Sequence, residues 1–211
     1  NDVEALRREL SSEEYAAVII EPIQGVGGIR MASDEFLKAA REACDATGTM
    51  LIIDEIQSGY GRTGDFFAHQ HAGIRADIIT SAKGIANGFP VGAIIVSPKI
   101  PAKSGMLGTT FGGSHLACAA SIAVADVIKA ENLVENARIM GEKIVEAIKG
   151  TSGITDIRGR GLMIGIDLSV PQAAFRKVLR EKHHIMTGLS GQYTLRLLPP
   201  LVIGTKEVER F

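Results

Sequence analysis

A chain of 211 residues with 45% hydrophobic and 22% charged residues has a globular composition, which excludes a disordered polymer. Lys and Arg total 23 against 24 Asp and Glu, a net charge of −1, so the basic surplus expected of a nucleic-acid surface is missing. The longest nearly unbroken apolar stretch, Leu116–Ala125, is interrupted by Ser121 and falls well short of the ~20 residues needed to cross a bilayer.

In chain order, Ala16–Ile23 is a short β-branched run, apolar on both faces, and reads as a buried strand. Ser33 is placed as an N-cap, with Phe36, Leu37, Ala40 and Ala43 at helical spacing up to Gly48. Met50–Ile56, Asp77–Ala82 and Gly92–Ser97 are further apolar runs of strand length. Continuous rather than alternating runs, separated by helices, predict a mainly parallel sheet covered on both faces. From Leu116 to Lys149 the pattern turns helical, and Gly150–Gly153 ends it. Gly161–Leu168 then reads as a strand, Gln172–Lys182 as a helix and Thr194–Leu198 as a strand. The expectation is an α/β protein with a larger portion over 1–130 and a smaller α/β unit over 131–211. The chain opens on Asn1 rather than Met and closes within Lys206–Arg210, which reads as the start of a helix. It is expected to be a piece of a longer protein whose N-terminal part lies upstream. Cys44 and Cys118, both in helix-like stretches, make no disulfide framework, which suits a reducing, cytoplasmic setting.

Several short motifs invite a function and lack the context for it. Leu51–Glu55 (LIIDE) resembles the acid-ended strand that holds magnesium in nucleotide hydrolases, but no G-x-x-x-x-G-K-[ST] loop occurs to cradle phosphates. Gly59–Gly64 fits G-x-G-x-x-G, yet no acid closes the next strand and Asp77 opens it instead. These two motifs carry the only alternative from another class, a non-catalytic nucleotide-binding module. The pairs His69/His71 and His183/His184 lack the third and fourth ligands that zinc requires, so packed or surface histidines are expected and no metal.

One constellation remains. Asp54 ends one strand and Lys83 follows the end of another, and ligands of open parallel sheets bind at the carboxyl ends of strands. Burial disfavours an ammonium and leaves the neutral amine that a Schiff-base nucleophile needs. An aspartate facing a pyridine nitrogen keeps it protonated, so the two residues together serve pyridoxal phosphate chemistry. On spacing alone, a buried Lys83–Asp54 ion pair accounts for both residues as well.

The wording around them resembles the class III aminotransferases of fold type I over nearly the whole chain. The blocks are Glu21-Pro22-Ile23-Gln24-Gly25, Asp54-Glu55-Ile56-Gln57-Ser58-Gly59 running to Gly61-Arg62-Thr63-Gly64, and Ser81-Ala82-Lys83-Gly84 with Gly88-Phe89-Pro90-Val91-Gly92. Thr109-Thr110-Phe111-Gly112-Gly113 and Leu195-Arg196-Leu197-Leu198-Pro199-Pro200 complete the order. The resemblance implies pyridoxal 5'-phosphate as cofactor, held by Lys83, which would also move the substrate proton. It implies cofactor contacts along Asp54, Glu55, Ile56 and Gln57, with Asp54 on the pyridinium nitrogen and Gln57 on the phenolic oxygen, and support from Glu21. Thr110 would donate to the phosphate of a neighbouring subunit, with Thr109 beside it near the substrate, so a homodimer with shared active sites is implied. Arg196 would clamp a substrate carboxylate with its planar fork. The implied reaction is ping-pong transamination between a small amino donor, N-acetylornithine or a related ω-amine, and the 2-oxo acid 2-oxoglutarate. Ornithine, succinylornithine and 4-aminobutyrate are alternative donors. Val26 stands where many relatives have a glutamate that neutralises the substrate arginine, and Ser114-His115 stands where Asn-Pro is common. The family's first phosphate-binding turn and its ring-stacking aromatic fall upstream of Asn1.

Overall fold

The computed structural model of this chain describes residues 1–211. Its first half builds a four-stranded sheet from β1 (Ala17–Ile20), β4 (Met50–Asp54), β5 (Ile78–Ser81) and β6 (Ala93–Val96), in that spatial order. The β1/β4 and β4/β5 pairs are parallel, and β5/β6 is antiparallel. The sheet is therefore mainly parallel, as expected, but its last strand is reversed. A parallel crossover needs a dozen or more residues and usually a helix. The link from β5 to β6 holds only the short 3₁₀ turn Lys83–Ala86.

One face of the sheet is covered by α2 (Asp34–Thr47). Ser33 caps this helix by accepting from the Phe36 N–H at 3.1 Å, and Gly48 ends it in the left-handed region. Leu37, Ala40, Ala43 and Cys44 pack on Leu51 and Ile53, with Val18 and Ile20 beside them, and α1 (Val3–Leu10) adds Leu10. The other face corrects the expectation of a doubly covered sheet. Ile19 is 63% exposed and Ile94 52% exposed; these apolar runs have no covering layer within this chain. The first strand also stops earlier than read, at Ile20, because Pro22 has no N–H to give a ladder. Ile23–Gln24 (β2) instead pairs with Arg30–Met31 (β3) around a Gly-rich turn.

The helical stretch after residue 115 is two helices, α3 (His115–Ala130) and α4 (Leu133–Ile148), separated where Asn132 turns left-handed. The second sheet, β7 (Ile154–Arg160), β8 (Met163–Leu168), β10 (Thr194–Leu197) and β9 (Gly188–Ser190), is antiparallel throughout. The helix α5 (Gln172–His183) joins β8 to β9, and α6 (Thr205–Arg210) follows β10. Ala137, Met140 and Ile144 of α4 pack on Ile164, Ile166, Leu195 and Leu197 to form this unit's core. A third, small cluster of Ile23, Ile29 and Met163 joins the two sheets. No helix is long and apolar enough to cross a membrane.

Asp77 sets the start of the sheet. It is 3% exposed, accepts from the Leu51 N–H at 2.9 Å and from Arg41 Nη1 at 2.8 Å, and lies 3.5 Å from Lys99 Nζ. Burial alone raises its carboxyl, but the Leu51 amide and the Arg41 guanidinium outweigh burial and hold it below the usual carboxylate range. A depressed carboxylate stabilises the fold above its unfolded-state value and loses that contribution as pH falls through its folded value. Thermal stability is therefore expected to drop below about pH 4. The Asp77→Asn variant should show a shallower acid limb in melting curves taken from neutral to acid pH; an equally steep limb would remove Asp77 from the account.

Candidate active site

The carboxyl ends of β4 and β5 lie side by side, with Asp54 in register with Thr80. Strand alternation turns Leu51 and Ile53 to α2 and leaves Asp54 on the uncovered face. Asp54 Oδ1 accepts from the Ile56 N–H at 2.9 Å, a local turn that ends the strand, and its second oxygen has no protein partner. Beside it, Thr80 Oγ1 is buried without a hydrogen-bond partner, as is Ser81 Oγ on the opposite face of the strand. Two residues on, Lys83 opens its 3₁₀ turn at φ +48°, a left-handed backbone uncommon for a side-chain-bearing residue.

Lys83 is exposed and makes no ion pair with Asp54, which removes the buried-pair reading. It also corrects the expected desolvation: the residues of this chain do not enclose the amine. Lys83 instead rims a cavity of about 490 Å³, together with Ile56, Gln57, Tyr60, Arg62 and Leu201.

Three distant segments meet at Gly25. Its N–H donates to Glu21 Oε2 at 3.3 Å, its carbonyl accepts from Arg196 Nη1 at 2.9 Å, and a side chain at this position would collide with the Gln57 amide. Arg196 lies on β10, and its Nε is buried with no hydrogen-bond partner. The turn after Gly25 is tied down twice more. Ser190 Oγ donates to the Val26 carbonyl at 2.7 Å, and Arg158 Nε donates to the Gly28 carbonyl at 2.9 Å.

Glu55 is a correction. It is 1% exposed, and its two oxygens accept from Ser58 Oγ at 2.6 Å, the Ala68 N–H at 3.0 Å, and the N–H and Nδ1 of His69 at 2.9 and 2.8 Å. With both oxygens committed, its side chain fastens the loop and does not face a ligand. His69 is thus a buried carboxylate partner, and His71 pairs with Asp65 at 3.0 Å. No cluster of metal-ligating side chains forms. Thr109 and Thr110 stay apart from this assembly, on the exposed loop before α3, where Thr109 Oγ1 accepts from the Gly112 N–H at 3.1 Å. The Gly59–Gly64 turn opens no helix, so the dinucleotide reading lacks its phosphate site.

The sequence model described as aminotransferase class-III matches residues 1–211. The chain belongs to this family. Among curated relatives, the class-III acetylornithine aminotransferase of Methanosarcina mazei is 41% identical over 211 residues, covering 99% of this chain and 53% of its own. That of Corynebacterium efficiens is 43% identical over 202 residues, covering 95% and 50%. The chain thus spans about half the length of the curated relatives it matches. Among solved structures, the ornithine aminotransferase of Toxoplasma gondii superimposes with a TM-score of 0.93 at 32% identity, covering 99% of this chain and 51% of that one, and it is described with partial occupancy of PLP at its active site. The acetylornithine aminotransferase of Elizabethkingia anophelis gives 0.89 at 34% identity, covering 99% and 55%. The architecture is accordingly part of a fold type I aminotransferase, a class that uses pyridoxal 5'-phosphate. The class-III chain here suits that group: the unpartnered Thr80 hydroxyl lies in register beside Asp54, Lys83 follows, and Gly25 leaves the Gln57 amide room.

Proposed function

We propose that the protein is a pyridoxal-phosphate aminotransferase, with the cofactor-binding portion in 1–130 and the smaller unit in 131–211. The observation that carries this reading is the juxtaposition of Asp54, the unpartnered Thr80 hydroxyl and Lys83 at adjacent strand ends, with Gln57 against the Gly25 turn that Arg196 holds. When bound, the cofactor supplies an electron-poor pyridine ring. Asp54 would hold a proton on the ring nitrogen through its free oxygen, Gln57 would meet the phenolic oxygen, and Ile56 would pack beside it. Lys83 Nζ would hold the cofactor and take up the proton that leaves the substrate's amine-bearing carbon. Arg196 would receive a substrate carboxylate on the edge that carries its unpartnered Nε, since bidentate pairing needs two parallel N–H donors. Glu21 supports that edge through Gly25. Thr109 and Thr110 would serve the cofactor phosphate and substrate of a second subunit in a homodimer, and the protein would act in the cytoplasm.

The donor we favour is N-acetylornithine, with 2-oxoglutarate as acceptor. The named relatives at about 41% identity support it. Val26, standing where many relatives carry a glutamate that neutralises the substrate arginine, does not choose among the donors. The solved ornithine aminotransferases favour ornithine as the second reading. Steady-state rates with a panel of ω-amino donors decide between them. Borohydride reduction followed by peptide mass spectrometry is expected to find the cofactor's mass on Lys83; the adduct on another lysine would overturn the site.

A further inference from the structure

Arg62 is a half-buried cation that this scheme leaves without a task. No carboxylate lies within ion-pair distance of it, and burial lowers its pKa from the ordinary arginine value. Its Nη1 donates to the Pro199 carbonyl and reaches the Leu162 carbonyl at 3.5 Å, while its own carbonyl accepts from the Leu162 N–H at 3.0 Å. Drawing a guanidinium partly out of water with only main-chain acceptors is unfavourable unless the geometry it fixes is needed.

The geometry is specific. Arg62 belongs to the loop that starts at Gln57 and rims the Lys83 cavity. Pro199 stands three residues beyond Arg196, just past the end of β10. The Arg62 loop is also pressed against the β7–β8 turn with no side chain between them: a Cβ on Gly161 would lie 2.6 Å from the Thr63 carbonyl carbon, and Gly141 of α4 backs directly on the Gly161 carbonyl. Arg62 thus ties the loop that rims the Lys83 cavity to the segment just past the Arg196 strand through the Pro199 carbonyl. Its rigid fork holds a fixed distance where a flexible ammonium would not.

We propose that Arg62 is a positioning residue that sets Arg196 relative to Lys83 and so governs affinity for the substrate carboxylate. This rests on the aminotransferase reading above. The test uses the purified protein with Arg62→Lys and Arg62→Gln, each alone and in an Arg196→Ala background. The readouts are the dissociation constant of glutarate, an unreactive dicarboxylate, measured by calorimetry, and cofactor affinity measured by absorbance titration. Displacing a clamp by a fraction of an ångström should weaken glutarate about tenfold or more in either variant, with cofactor affinity changed less than about twofold. In the Arg196→Ala background, the Arg62 substitutions should have no further effect on glutarate. Unchanged glutarate affinity, an equal loss in the Arg196→Ala background, or failure of both variants to fold would each overturn the proposal. Failure of the unsubstituted protein to bind the cofactor or glutarate would instead overturn the aminotransferase reading, and the proposal with it.

Discussion

Replacing Lys83 with alanine is expected to abolish transamination while leaving the fold intact. The amine stands exposed at the end of β5 and makes no ion pair within the chain, so no buried partner is orphaned by its loss. Alanine meets the same left-handed backbone as lysine at this position, and the stability change should stay within about 0.5 kcal/mol, the usual range for a surface substitution. Activity is another matter. Deleting a covalent nucleophile removes rate on the order of 10⁴-fold or more. The pair of measurements is a melting curve and a turnover assay with 2-oxoglutarate as acceptor. Turnover retained in a folded Lys83→Ala protein would show that another amine does the chemistry.

Glu55→Ala should act in the opposite sense, on the fold before the chemistry. Glu55 gathers the Ser58 hydroxyl, two successive main-chain N–H groups and the His69 ring into one buried cluster. Removing the carboxylate leaves these donors without an acceptor, and breaking such buried charged sites costs about 3–5 kcal/mol. For a chain of this length that corresponds to a fall in melting temperature of roughly 6–20 °C. Glu55→Gln keeps the shape and one acceptor oxygen, so its loss should be smaller. A Glu55→Ala protein that melts with the unsubstituted one would show that water replaces the carboxylate without penalty.

The chemical core of the site was legible because the residues concerned interrupt apolar runs. Asp54 follows the apolar run Met50–Ile53 and Lys83 follows the strand-like run Ile78–Ala82, and a charge at such a point marks a strand end. The Glu55–His69 cluster gave no such signal: its members are spread over an irregular loop with no period to betray which faces meet. The direction of β6 was hidden for a related reason, since a reversed strand carries the same residues as a parallel one, and only the short link from β5 records the difference. β7 escaped notice because Ile154-Thr155-Asp156-Ile157-Arg158-Gly159-Arg160 is mostly polar, as suits a strand at the edge of an antiparallel sheet. The break between α3 and α4 contains neither Gly nor Pro. It turns on Asn132, one of the few residues that adopts left-handed backbone without much strain. Apolar content alone also misjudged coverage, because Ile19 and Ile94 look like core residues in the sequence and stand open in the chain.

The turn that follows Gly25 is held by Arg196, Ser190 and Arg158, and every acceptor in that grip is a main-chain carbonyl. Carbonyls persist whatever side chain is attached, so the identity of residue 26 is uncoupled from the docking of the turn. Val26 is itself 71% exposed, and a change there disturbs little packing. The position is thus a neutral dial beside the carboxylate clamp, where acid, amide or bulk can be exchanged by single codon changes while the scaffold stays put. On the proposed reading, a saturation library at this position is expected to shift the preference among amino donors without a compensating change elsewhere.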